Sequence, residues 1–110
     1  MKTRQELEQA LEALEATLKT AGLWRVETPT PAAFASRQPF CIDTMSLPQW
    51  LRFVFVARLR GLLEEGAALP EKCEVAPAVK AYLQQEGVRA SDQLLVVQSV
   101  ERVDAVINQA

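Results

Sequence analysis

The chain has 110 residues, 49% of them hydrophobic, and this length and composition predict one domain, 1–110, with a single modest core. The formal net charge of −2 argues against direct nucleic-acid binding, because proteins that bind nucleic acids usually carry a basic patch. The chain has no histidine and two cysteines, Cys41 and Cys73, which are not spaced as zinc ligands. We therefore expect free thiols, no cofactor and no enzymatic activity.

The first predicted helix covers residues 3–20. Its leucines recur at spacings of four, three and four residues and form one apolar stripe, made of Leu7, Leu11, Leu14 and Leu18. Thr3 is the expected N-cap, with Glu6 at the capping-box position, and Gly22 is the expected stop. The stripe also fits a coiled coil. It spans only about two heptads, so we expect the helix to dock inside a bundle.

Residues 23–45 are predicted to be a long connection that is only partly helical. It contains Pro29, Pro31 and Pro39, and Thr30 followed by Pro31 is typical of one short helical turn. A connection of this length is often functional or contains structure of its own.

Residues 46–65 are predicted to form the central helix, with Ser46 as N-cap and Gln49 at the capping-box position. A buried strand is the alternative, but the apolar run is too long for one. Because the helix is apolar nearly all round, we expect it to be the hub of a bundle or part of an interface. Its aromatic surplus and a neighbouring phenylalanine form the candidate interaction surface, made of Phe40, Trp50, Phe53 and Phe55.

Two further helices are predicted at 76–86 and 91–108, which completes an all-α bundle of about four helices. Pro77 lies near the start of the first of these helices, and Ser91 is the expected N-cap of the second. The apolar residues of the last helix follow helical spacing, at Val96, Val100, Val103 and Ile107. A strand is the alternative at 94–97, where valine and leucine are enriched.

Arg58 is the leading candidate for a charged residue with a structural or functional role. On a helical wheel it falls between Leu47 and Leu51, on the apolar face of the central helix. A guanidinium there requires a carboxylate or several carbonyls, and Asp104 and Asp43 are the candidate carboxylates for a structural ion pair or an anion site. The alternative is that Arg58 extends its head group to water.

Several motifs together carry a family resemblance. They are Gln-Pro-Phe-Cys-Ile-Asp-Thr-Met at 38–45, Gln-Trp-Leu-Arg-Phe-Val-Phe at 49–55 followed by Arg58-Leu59, then Leu69-Pro70, Val75-Ala76-Pro77 and Val-Asp-Ala-Val-Ile-Asn at 103–108. Over nearly the whole chain they resemble the YqcC-like family of small bacterial proteins. The resemblance implies an all-helical bundle of unassigned function. The family has no known catalytic residues that could be assigned to positions of this sequence. Family members are sometimes encoded beside a tRNA pseudouridine synthase, which implies a partnership in RNA modification.

The sequence therefore predicts a non-enzymatic interaction or accessory module. Its expected partner is another protein, with an RNA-modification enzyme as the named candidate, or a second copy of itself. The alternatives are a small-ligand-binding bundle and a factor that contacts RNA directly. No run reaches the roughly 18 apolar residues of a membrane span. Because residues 1–6 lead into an acidic amphipathic helix, we expect a cytoplasmic protein.

Overall fold

A computed structural model describes residues 2–109, except for the side chain of Lys2, and contains no strand within that range. Helix α1 spans Lys2–Thr20. Helix α2 is continuous through three segments, Leu47–Trp50, Leu51–Val56 and Ala57–Glu65. Helices α3 and α4 span Ala76–Gln85 and Ala90–Asn108. The all-α prediction and the helical assignment of 94–97 are confirmed.

Local sequence signals set several of the observed boundaries. The Ser46 hydroxyl accepts a hydrogen bond from the Gln49 amide at 3.3 Å, and the Gln49 side-chain oxygen accepts from the Ser46 amide at 2.8 Å. This is the predicted capping box, which pairs two amides that the helix leaves without partners. The predicted N-caps Thr3 and Ser91 are wrong, because each lies inside its helix. A capping hydroxyl contributes only about 1 kcal/mol, which is too little to set a helix boundary by itself.

Helix α4 is the hub of the bundle, because it packs against both α1 and α3. The leucine stripe of α1 is completely buried against it, from Leu7 to Leu18. The hub alternative for 46–65 is therefore wrong, whereas the other alternative, that this helix is part of an interface, stays a prediction. Helix α2 contacts α1 through its last segment and leaves its aromatic start beside the connection. The described chain measures 38 × 34 × 21 Å, which is about two helix layers at the usual spacing of roughly 10 Å.

The middle segment of α2, Leu51–Val56, is a π-helix. Each π-turn holds one more residue than an α-turn, so the residues beyond it rotate by about 100° relative to an ideal wheel. Leu59 therefore takes the buried position that the wheel assigned to Arg58, and it is 3% exposed. Arg58 points to solvent instead. The placement of Arg58 on the apolar face is wrong because the wheel assumes a uniform α-helical period.

The connection 23–45 contains two 3₁₀ turns, Pro31–Ala35 and Pro39–Cys41. The first confirms the predicted turn after Thr30, whose hydroxyl accepts from the Ala33 amide at 3.3 Å.

Asp104 joins α4 to the start of α3. Its carboxylate is buried, and one oxygen accepts hydrogen bonds from the backbone amides of Val75 and Ala76 at 3.0 and 2.9 Å. The other oxygen accepts from the Cys73 thiol at 3.0 Å. One turn later, Asn108 accepts from the Cys73 amide and donates to the Cys73 carbonyl, both at 2.8 Å. We call this arrangement the Asp104 cap, because it supplies the acceptor that α3 lacks in its own N-cap residue.

The Asp104 cap also determines the chemistry of Cys73. Burial of the thiol, its hydrogen bond to Asp104 and the charge of that carboxylate raise the pKa of Cys73 from 9.0 to about 12. A thiol that keeps its proton is a poor nucleophile. The raised pKa and the hydrogen bond to Asp104 are typical of a cysteine that serves packing and not of a reactive thiol.

Replacing Asp104 with asparagine should lower the free energy of unfolding by about 2 kcal/mol, because an amide oxygen that keeps the bonds to the Val75 and Ala76 amides is uncharged and leaves an NH2 donor facing the Cys73 thiol. The matched control is Asp43→Asn, since Asp43 is exposed and accepts from the Ser36 hydroxyl. The control should change stability by less than about 0.5 kcal/mol. Urea denaturation followed by circular dichroism measures both, and equal destabilisation would contradict the Asp104 cap.

The raised pKa of Cys73 predicts a loss of stability at alkaline pH. The unfolded chain releases the thiol proton near 9.0, whereas the folded chain keeps it up to about 12. Because the unfolded state then binds fewer protons, stability should fall as the pH rises through this window. Cys73→Ala should remove this part of the decline, and Cys41→Ala should retain it, in urea denaturation at about pH 8 and about pH 10. Equally steep declines in both variants would refute the assignment.

Candidate interaction surface around Trp50 and Trp24

Three of the four aromatic residues predicted as an interaction surface form one row. The Phe40 and Trp50 ring centroids lie 4.9 Å apart, edge to face, and those of Trp50 and Phe55 lie 5.4 Å apart in a stack. Such pairs add about 0.5–1.5 kcal/mol to the burial of the rings. Phe55 is 7% exposed and is therefore the buried base of the row, whereas Phe40 and Trp50 remain partly accessible.

The fourth residue, Phe53, belongs to a second cluster. The Arg52 guanidinium carbon lies 4.9 Å from the centroid of the Phe53 ring and 4.7 Å from that of the Trp24 ring. Arg52 also donates a hydrogen bond of 2.7 Å to the Trp24 carbonyl. A cation at these distances is attracted by the negative face of an aromatic ring. Arg52 therefore holds the start of the connection against α2.

The loop that carries Phe40 has an unusual backbone. Phe40 and Cys41 have φ values of 59° and 50°, in the left-handed region that costs other residues than glycine about 1–2 kcal/mol each. The Cys41 carbonyl accepts from the Thr44 and Met45 amides, both at 3.0 Å, and the Met45 side chain is buried. Together with the packing of Phe40 on Trp50, these contacts stabilise the strained turn.

Two large apolar side chains of the same loop face solvent, Phe34 at 43% and Ile42 at 63% exposure. Hydrogen bonds join the two turns that carry them. The Thr44 hydroxyl donates to the Ala33 carbonyl at 2.8 Å, and the Ser36 hydroxyl donates to the Asp43 carboxylate. The exposed apolar groups are therefore presented on a hydrogen-bonded loop.

The structure does not bring Arg58, Asp43 and Asp104 together. Arg58 is exposed, and the ion pairs within residues 2–109 join Glu15 to Lys19 and Arg60. Asp43 binds a serine hydroxyl, and Asp104 binds backbone amides. The buried acceptor expected at Asp104 is present, but its partner is a helix N-terminus and not the predicted guanidinium.

Sequence reasoning did not predict the contact of Asn108 with Cys73 or that of Trp24 with Arg52. Asn108 follows Asp104 by four residues, and this spacing places both on one helix face. That signal was available. The contact between Trp24 and Arg52 joins residues 28 positions apart and leaves no periodic trace in the sequence.

The described part of the chain contains neither a candidate metal-binding group nor a helix suited to span a membrane. Within 2–109, no three side chains of Cys, Asp or Glu gather in a group that could hold a metal ion. None of the helices in that range combines the length and the apolar character that crossing a membrane requires.

Comparisons with known proteins place these features in a family. The model of DUF446, described as tRNA pseudouridine synthase C, matches residues 6–106. The chain is 34% identical over 106 residues to the uncharacterised protein YqcC of Escherichia coli. The aligned residues are 96% of this chain and 94% of that protein. It is 40% identical over 82 residues to an uncharacterised protein of Haemophilus influenzae, covering 74% and 77% of the two chains.

A third relative is much longer than this chain. A protein of Pectobacterium carotovorum named tRNA pseudouridine synthase C is 37% identical over 70 residues, which are 64% of this chain and 19% of that protein. Among solved structures, the solution NMR structure of Escherichia coli YqcC superposes with a TM-score of 0.81 at 33% identity, covering 98% of this chain and 90% of the other. The chain therefore belongs to the YqcC-like family, small bacterial proteins with an all-helical fold and no established function.

Proposed function

We propose that the protein is a non-enzymatic accessory module that binds a tRNA pseudouridine synthase. The observation that carries this proposal is the 70-residue match to part of a protein named tRNA pseudouridine synthase C, of which it makes up 19%. Contacts between the domains of one chain resemble those between separate proteins. A segment found within such a synthase is therefore expected to contact the enzyme when it is a separate chain.

The docking surface in this proposal is the loop surface, defined as Phe34, Phe40, Ile42 and Trp50. It combines two exposed apolar side chains with two partly accessible aromatic rings. Aromatic anchors with apolar neighbours are typical of the centre of a protein interface. The strained turn at Phe40 and Cys41 supports the same choice, because such backbone persists mainly at binding sites.

The chemistry of the chain supports a binding role more than a catalytic one. There is no histidine to act as a general base, and the Cys73 thiol stays protonated because its pKa is raised to about 12. A partnership with a tRNA-modifying enzyme also requires the cytoplasm, the compartment expected from the sequence. The accessory role therefore agrees with both the compartment and the side chains present.

Ile42→Asp should weaken binding to the synthase of the same organism at least tenfold, because it introduces a charge into the apolar loop surface. Its 63% exposure means that the fold should tolerate the change. The matched control is Leu95→Asp on α4, where the leucine is 50% exposed. Isothermal titration calorimetry measures the affinity, and thermal denaturation checks the fold of each variant.

Three results would refute the proposal. The first is that the wild-type chain fails to bind the synthase, and the second is that Leu95→Asp weakens binding as much as Ile42→Asp. The third is that light scattering shows a homodimer that Ile42→Asp dissociates, since the loop surface would then bind a second copy of the chain.

A further inference from the structure

The net charge of −2 conceals a strong asymmetry along the chain. Residues 16–63 carry six lysines and arginines against two acids, a net charge of +4, whereas the rest of the chain carries −6. A ligand responds to the local field and not to the total charge. The six cations of this segment are Lys19, Arg25, Arg37, Arg52, Arg58 and Arg60.

The structure gathers part of this positive charge around Trp24. The Lys19 ammonium nitrogen lies 5.7 Å from the centroid of the Trp24 ring, and the Arg52 guanidinium carbon lies 4.7 Å from it. A surface cavity of about 500 Å³ adjoins the indole and is lined by Lys19, Gly22, Trp24 and Arg25. We call this cavity the Trp24 pocket.

The walls of the Trp24 pocket are held by hydrogen bonds. At the end of α1, the Leu18 carbonyl accepts from the Leu23 amide at 2.8 Å and the Lys19 carbonyl accepts from the Gly22 amide at 3.2 Å. These bonds satisfy two of the last carbonyls of α1 and fix the turn that lines the pocket. Gly22 has a φ of +75°, and a Cβ atom built there would meet no atom within 4 Å, so open space lies beside the backbone.

One carboxylate competes for the cations of this region. Glu15 lies 3.7 Å from the Lys19 nitrogen and 3.8 Å from an Arg60 nitrogen. The Lys19 side chain is 57% exposed, and exposed ion pairs of this kind contribute little. Lys19 can therefore exchange Glu15 for a stronger anionic ligand, while Arg25 lines the pocket in an exposed position.

We propose that the Trp24 pocket binds an unpaired nucleotide of RNA. The indole contacts the base, while Lys19 and Arg25 contact the adjoining phosphates. Charge complementarity favours a polyanion, and the indole beside the cavity favours a planar base over an acidic peptide. The cavity volume of about 500 Å³ lies in the range of ordinary small-ligand sites. The inference rests on the proposed function, because the synthase would bring its RNA substrate to this surface.

The test uses Trp24 as its own reporter. The chain contains two tryptophans, so Trp50→Phe leaves Trp24 as the sole indole. Titration of this variant with a single-stranded oligouridylate of about ten nucleotides in about 50 mM salt should quench its fluorescence. Two phosphate contacts predict that the affinity falls about sevenfold between about 50 and 200 mM salt.

A second assay avoids any change at Trp50. Fluorescence anisotropy of the same labelled RNA with the wild-type chain gives an affinity, and Lys19→Ala or Arg25→Ala should each lower it about three- to tenfold. The matched control is Lys80→Ala, because Lys80 is an exposed lysine on α3, outside the pocket. This control should retain the wild-type affinity.

Three outcomes would overturn the proposal that the Trp24 pocket binds RNA. They are the absence of RNA binding, equal loss of affinity in Lys80→Ala, and equally tight binding of a polyglutamate peptide, which would mark a site for acidic protein segments. Titrating the synthase into the wild-type chain and into Lys19→Ala and Arg25→Ala separates the two proposals. Both variants should bind the synthase as the wild type does, because neither residue belongs to the loop surface. If the synthase binds the wild-type chain but RNA does not, only the pocket fails. If RNA binds and the synthase does not, only the accessory role fails.

Discussion

The start of helix α3 depends on a carboxylate from another helix. Asp104 on α4 accepts hydrogen bonds from the Val75 and Ala76 amides, which the local sequence leaves without a side-chain cap. A buried carboxylate is stable only when its oxygens are paired, and buried amides require the same. The hydrogen bonds therefore remove the desolvation penalty of the carboxylate and of the two amides. Asn108 extends the arrangement to the backbone amide and the backbone carbonyl of Cys73. The Asp104 cap therefore adds a polar link to the apolar packing of α3 on α4.

Helix α2 departs from regular geometry where the surface becomes aromatic. Its π-helical segment, Leu51–Val56, begins directly after Trp50, and two left-handed residues place Phe40 against the same ring. Natural proteins tend to break local rules at functional sites. Because the extra residue of the π-turn rotates Leu59 into the core and Arg58 out of it, the same feature decides which side chains remain available to a partner.

The two proposed surfaces have different chemistry, and residues of α2 adjoin both. The loop surface is apolar and aromatic, and so suits a protein partner. The Trp24 pocket is cationic and lies beside Arg52, two positions after Trp50 along α2. Affinity for a protein would come from apolar burial, whereas contact with RNA would come from charge and stacking. An acidic chain can combine both roles because its carboxylates are concentrated outside residues 16–63.

Periodicity was sufficient to predict the four helices from sequence, and capping chemistry also located the start of α2. The stripe from Leu7 to Leu18 is completely buried, and the capping box of Ser46 forms as its spacing indicates, because both signals act within a few residues. The motifs also identified the family, whereas the row formed by Phe40, Trp50 and Phe55 became visible only in the structure. Only the tertiary structure decided the partner of Asp104, the exposure of Arg58 and the contact of Trp24 with Arg52. These depend on which helix ends meet and on a π-turn, and a pattern with a uniform period of about 3.6 residues specifies neither.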